Sequence, residues 1–173
     1  RRNTVHCEAP SDHAAHSQWR FMPVRAASAR RSVNGSTMIT WPMISAAMLA
    51  DVGAKYVIVG HSERRQNHKE TDDLVRQKAE ATIAAGLTPI VCVGETQAER
   101  AAGQVSEVVG RQVKSSAPGQ GGTFVVAYEP VWAIGGTSTP TLAEIGEVHA
   151  LIRETLAAQF GAQANETRIL YGG

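Results

Sequence analysis

Cysteine occurs only at Cys7 and Cys92 in this 173-residue chain, which is too little for a disulfide framework or a thiolate metal cluster. Reduced thiols and a cytosolic location are therefore the expectation. No apolar run approaches the roughly 20 residues that a membrane helix needs, so no membrane partner is expected. Neither sign of charge dominates: the net charge of +1 gives no overall reason for a nucleic-acid partner. Phosphate-loop sequences of the GKS or GKT kind and the GxGxxG dinucleotide fingerprint are both missing. His61 and His68 stand seven apart across charged residues, which is no recognised metal spacing, and no metal is expected. Lysine is scarce, with only Lys55, Lys69, Lys78 and Lys114. Aromatics are few as well, at 5%. What is plentiful is small and aliphatic: Ala, Val, Ile and Gly dominate a 43% hydrophobic content, enough for one globular domain.

The charge is unevenly spread. Residues 1–43 hold six arginines (Arg1, Arg2, Arg20, Arg25, Arg30 and Arg31) against Glu8 and Asp12, and they lack sustained apolar periodicity. An Arg- and Ser-rich, acid-poor stretch of this kind resembles a mitochondrial transit peptide, although it starts with Arg rather than Met. A disordered tail, or sequence foreign to the domain, fits the same composition. Residues 1–43 are left unassigned and 44–173 are taken as the domain.

From Ile44 onward the pattern changes. Ser45 is placed to cap a short helix, AAMLAD, that stops at Gly53. The runs KYVIVG (55–60), TPIVCVG (88–94), TFVVAYEP (123–130) and RILYGG (168–173) are short and continuously apolar, as strands buried on both faces require. Helical patterns lie between them. The first is capped by Thr71 and places Leu74, Ala79 and Ile83 on roughly one face before Gly86; the second supplies Val105, Val108, Val109 and Val113. The third opens on a Thr141/Glu144 capping box, continues with Ile145, Val148, Ile152 and Leu156, and ends at Gly161. Repeated β-α units mean parallel strands, either in a doubly wound sheet or in a β/α barrel. In both architectures ligand chemistry gathers at the carboxyl ends of the strands.

His61 follows the first strand directly, and Ser62 is expected to cap the helix beginning there. The positive end of that helix disfavours imidazolium and leaves His61 able to donate a hydrogen bond to a carbonyl. Glu129 ends the third strand; among apolar neighbours a carboxylate gains basicity, which suits a general base working on a carbon-bound proton. The segment after it is a stiff apolar stretch, Pro130, Val131 and Trp132, followed by the flexible pair Gly135 and Gly136, which could approach an anion or let a lid move. A hydrolase nucleophile elbow is a poor fit for GHSER, because Arg64 stands where the second glycine should. Cys92, inside an apolar strand, reads as an inert core thiol.

Taken together, YVIVGHSERR, PIVCVGET, AYEPVWAIG and the terminal YGG, in this order and at these distances, resemble the triosephosphate isomerase family over about residues 44–173. The resemblance implies an eight-fold β/α barrel of which about four units are legible. It also implies interconversion of dihydroxyacetone phosphate and glyceraldehyde 3-phosphate through an enediol(ate), in glycolysis and gluconeogenesis, without cofactor or metal. By position, His61 is then the electrophile and Glu129 the base. Gly135 offers a backbone N–H to the substrate phosphate, and Pro130, Val131, Trp132, Ala133, Ile134 and Gly136 belong to the lid. Ser62, Glu63, Tyr171, Gly172 and Gly173 stand in the same motifs as supporting residues. Members of the family are typically homodimers.

The chain also departs from the family pattern. None of its lysines stands in the Asn-x-Lys motif of the family's first strand, residues 1–43 resemble none of the first three strands, and Gly173 precedes the final strand. Gly136 and Thr137 stand in the reverse of the family's usual order. With four strands legible the barrel is not expected to close, and the strands near 55 and 168 should present apolar edges that invite pairing with another chain. Losing one cationic group at developing charge costs about 3–4 kcal/mol of barrier, so little activity is expected of this chain. The alternative is a non-catalytic fragment or a module that associates through its strand edges.

Overall fold

The computed structural model describes residues 44–119, 122–135 and 138–172. Residues 1–43, with Cys7 and the basic stretch, lie outside the described residues, as do Gly136, Thr137 and Gly173. The described residues open with α1 (Ala46–Asp51), β1 (Tyr56–Val59), α2 (Ser62–Asn67), α3 (Asp72–Ala84) and β2 (Thr88–Val93). They continue with α4 (Gln97–Ala101), α5 (Val105–Ser116), β3 (Val125–Tyr128), α6 (Leu142–Phe160) and β4 (Arg168–Tyr171).

Local chemistry sets most of the boundaries. Ser45 Oγ accepts the N–H of Met48, and Thr71 Oγ1 accepts that of Leu74, so both predicted caps are present. Thr141 and Glu144 form the complete reciprocal box at the start of α6, whose end is marked by Gly161 at φ 58°. A second capping box, Thr96 with Glu99, starts α4, a short helix without a counterpart among the helical patterns named from the sequence.

The four strands are all parallel and pair in chain order, β1-β2-β3-β4. Order separates the two candidate architectures. A doubly wound sheet reverses its strand order at a switch point, whereas consecutive barrel strands lie side by side, as here. In register, Val59, Val91, Val126 and Ile169 form one row across the sheet. Val59, Val91 and Val126 are buried against a core that includes Val75, Val109, Val113, Ile152 and Leu156 of the helices. α3 packs on β1 and β2, α5 on β2 and α6, and α6 on β4. The next row over, Ile58, Ile90, Val125 and Arg168, faces the other way.

Two expectations are corrected. The apolar runs do not all belong to strands buried on both faces: Ile58 is 58% exposed on β1 and Leu170 is 44% exposed on β4. These are the outer strands, and among the described residues neither has an outer neighbour. The buried stripe of α3 is Val75, Ala79 and Thr82, while Leu74 points to solvent and Ile83 is only partly covered. Leu74 takes part in the Thr71 cap through its N–H, so its side chain lies on the opening turn, to one side of the sheet-facing stripe. Among the described residues no helix is long and apolar enough to cross a membrane.

Truncating Ile152, which is fully buried in the core cluster, to Ala is expected to cost about 2–5 kcal/mol. Leu142→Ala, at a position 88% exposed, should stay within about 0.5 kcal/mol of the unaltered chain. Urea unfolding of both variants measures the contrast.

Candidate active site

The carboxyl ends of all four strands lie on one rim because the strands are parallel. At the tip of β1, Gly60 takes a left-handed φ of 70°, which turns the chain so that His61 follows as the N-cap of α2. Here the sequence reading is corrected again: the cap is His61, whose Nδ1 accepts the N–H of Glu63 at 3.4 Å. Ser62 is already inside the helix, so its own N–H is one of those that the first turn leaves free. That N–H donates to Glu129 Oε2 at 3.2 Å.

Glu129 is therefore held from two sides. His61 Nε2 lies 2.7 Å from Glu129 Oε1, and only a tenth of the Glu129 side chain is exposed. Since Nδ1 accepts a hydrogen bond, the ring proton resides on Nε2 and is donated to the carboxylate. Burial raises the Glu129 pKa above the ordinary carboxylate value; the electrostatic attraction of the His61 ring and the Ser62 hydrogen bonds offset only part of that rise. The backbone of Glu129 is fixed too, with its N–H donating to Val93 O at 2.7 Å. Gly94 presses so closely on this strand end that a Cβ there would stand 1.8 Å from the Glu129 carbonyl oxygen.

Glu95, which the sequence reading passed over although it quoted the motif containing it, anchors the next segment. It is completely buried, and its Oε1 accepts from Tyr128 Oη at 3.2 Å, Trp132 Nε1 at 2.8 Å and Arg100 Nη1 at 3.0 Å. The signal that would have found it is its place, one glycine past the end of an apolar strand on the same rim as Glu129. Val131 N–H donates to the Glu95 carbonyl, and the Arg100 guanidinium lies 4.9 Å over the Trp132 ring. The segment after Glu129 thus starts as a bolted root, with Pro130 and Ala133 buried and Val131–Ala133 in a single 3₁₀ turn. Beyond Ile134 it opens onto Gly135, exposed and at φ 64°.

The remaining candidates are more peripheral. Glu63 is exposed and contributes only its N–H. Tyr171 is 40% exposed, its ring 6.4 Å from that of Tyr128, while Gly172 N–H donates to the Tyr128 carbonyl at 3.0 Å. Cys92 is buried, and desolvation together with the nearby Glu129 charge pushes its thiol up to about 12.

A desolvated carboxylate hydrogen-bonded to an imidazole, both just past the carboxyl ends of parallel strands that pair in chain order, is an arrangement of the β/α-barrel class. The comparisons give the family. The triosephosphate isomerase family model matches residues 40–173. A triosephosphate isomerase of Afipia carboxidovorans is 61% identical over 132 residues, covering 75% of this chain and 53% of that protein. Another, from Rhodopseudomonas palustris, is 58% identical over 133 residues, covering 75% and 52%. The crystal structure of triosephosphate isomerase from Bartonella henselae superposes with a TM-score of 0.69 at 42% identity, covering 82% of this chain and 55% of that one. The chain belongs to the triosephosphate isomerase family, and it spans about half the length of the curated relatives it matches.

The raised pKa of Glu129 fixes the sign of a pH effect. A proton binds more tightly to Glu129 in the fold than in the unfolded chain, so its stabilising contribution is complete below the ordinary carboxylate value of 4.5. That contribution is lost as pH rises through the folded value. Glu129→Gln, which cannot ionise, should melt at least as high as the unaltered chain at neutral pH. The difference between the two melting temperatures should shrink as the pH approaches 4.5. Paired thermal melts across that range check it.

Proposed function

We propose that the chain carries the acid–base half of a triosephosphate isomerase site and acts on dihydroxyacetone phosphate and glyceraldehyde 3-phosphate. The observation that carries this reading is the 2.7 Å contact between His61 Nε2 and Glu129 Oε1. A triose phosphate entering between them takes the Nε2–H on its carbonyl oxygen. The same step frees the Glu129 carboxylate to face the carbon next to that carbonyl. Glu129 removes a proton from C1 of dihydroxyacetone phosphate, His61 stabilises the charge that develops on O2 and passes the O1 hydroxyl proton to O2, and the carbon-bound proton returns at C2 to give the aldose. All of this is proton transfer, and it asks for no metal or cofactor.

The segment from Pro130 to Thr139 serves as the lid, with Gly135 N–H directed to the phosphate. Trp132 and its Glu95 anchor keep the root still while Ile134 and beyond close. Tyr171 and Gly172 complete the rim. The setting that goes with this function is cytoplasmic, in glycolysis and gluconeogenesis, with a homodimer as the assembled form.

The one Asn-x-Lys sequence of these 173 residues, Asn67-His68-Lys69, lies exposed at the end of α2 and not on a strand, so the developing charge is stabilised by His61 and backbone N–H groups. Turnover by the chain is accordingly low, by about 10²–10³ for one absent electrostatic donor. Incubation with dihydroxyacetone phosphate in deuterated water, followed by NMR, is expected to show slow deuterium incorporation at carbon. Glu129→Gln should lower that rate by about 10² or more. Exchange that persists in Glu129→Gln, or that never exceeds the buffer rate, overturns the reading.

A second reading, association through the sheet edges without catalysis, is favoured by the exposure of Tyr56 and Ile58 on β1 and Leu170 on β4. It predicts concentration-dependent sedimentation that Ile58→Lys abolishes.

A further inference from the structure

Arg65 sits behind the site and takes no part in the chemistry proposed above. We propose that it is a positioning residue, whose guanidinium locks the tips of β1 and β2 and so sets how His61 meets Glu129. The role rests on reading those two residues as the acid–base pair.

Four bonds leave this guanidinium. Nε donates to the Gly60 carbonyl at 2.7 Å and Nη2 to the Cys92 carbonyl at 3.2 Å. Nη2 also donates to Ser116 Oγ at 3.1 Å, and Nη1 pairs with Asp72 Oδ1 at 2.5 Å. The side chain is 15% exposed. Were its purpose only to neutralise Asp72, one bond would do; Asp72 is already paired with Arg111 through Oδ2 and accepts from Ser116 Oγ. Two of the four bonds go instead to strand-end carbonyls. Gly60 directly precedes His61, so any rotation of its peptide swings the imidazole. The contact is intimate, since a Cβ on Gly60 would come within 3.0 Å of Nη2.

From β2 the constraint passes to Glu129. Gln112, buried on α5, accepts the Gly94 N–H at 2.7 Å and donates to the Gly94 carbonyl at 3.2 Å. Gly94 in turn abuts the Glu129 carbonyl. The tips of β1, β2 and β3 are thereby held from behind by two polar side chains. A planar fork with fixed donor directions can span two carbonyls, whereas a lysine ammonium keeps the charge without the span.

The test compares Arg65→Lys, which keeps a cation beside Asp72, with Asp72→Asn, which keeps the fork. Nitrogen NMR of the His61 ring reads the tautomer, and urea unfolding reads stability. In the unaltered chain and in Asp72→Asn the ring should hold a single Nε2–H form with a visible hydrogen-bonded proton. In Arg65→Lys that proton signal should vanish and the two ring nitrogens should move toward an averaged shift, even where the stability losses are equal. An unchanged ring in folded Arg65→Lys, or equal disturbance in both variants, overturns the proposal. On the unaltered chain, Arg65 Nε–H should exchange with solvent about tenfold or more slowly than the exposed Arg168 Nε–H. Equal rates overturn the clamp whether or not the variants fold. Neither readout needs substrate, so failure of the isomerase reading and failure of the clamp are told apart.

Discussion

A carboxylate taken out of water at the end of a β-strand is costly unless something meets both of its oxygens. Around Glu129 that something is minimal: one imidazole N–H and one backbone N–H, supplied by His61 and Ser62, the two residues that follow Gly60. The arrangement of the rim serves this pairing. Gly60 turns the chain, His61 caps α2 with one nitrogen while offering the other, and Ser62 contributes the amide that an opening helical turn leaves unpaired. Burial still wins, so the carboxyl group holds its proton more tightly than an ordinary one. Raised basicity of this kind is what a general base requires.

The supports are polar and buried, which makes them demanding. Glu95 gathers a phenol, an indole and a guanidinium on one oxygen, and the Arg100 that it binds reaches on to Glu144 at the start of α6. In this way the root of the loop after β3 is tied to the helix that follows it. Such networks give a unique geometry when every member is present and lose it when one is removed. The helix-facing side of the sheet is filled chiefly by valine, isoleucine and leucine, and the hydroxyl of Tyr128, buried among them, is met by Glu95.

Much of the fold could be read from the sequence. The four strands announced themselves as apolar runs, and three caps (Ser45, Thr71 and the Thr141 box) follow from side chains that act within one helical turn. His61 and Glu129 stood out by their place at strand ends. Reading failed where a decision depended on partners distant in sequence. Leu74 and Val75 are adjacent and equally apolar; which one is buried depends on where the sheet lies. Ser62 is the better capping residue by composition, yet the backbone turn at Gly60 hands the cap to His61. Glu95 looked like any charged residue in a loop until Tyr128 and Trp132 closed over it. The Arg65 fork joins residues 60, 72, 92 and 116, a convergence that no local pattern encodes.

The consecutive strand order has a kinetic corollary. Each β-α unit docks on the one made just before it, so the loops closed at every step are short and their entropic cost is modest. Growth by accretion, in step with emergence from a ribosome, suits such a topology. The contacts around Glu129 do not share that locality: Ser62 and Glu129 stand 67 residues apart and meet only when three successive units are in place. Chemistry is therefore the last property that this scaffold acquires as it forms.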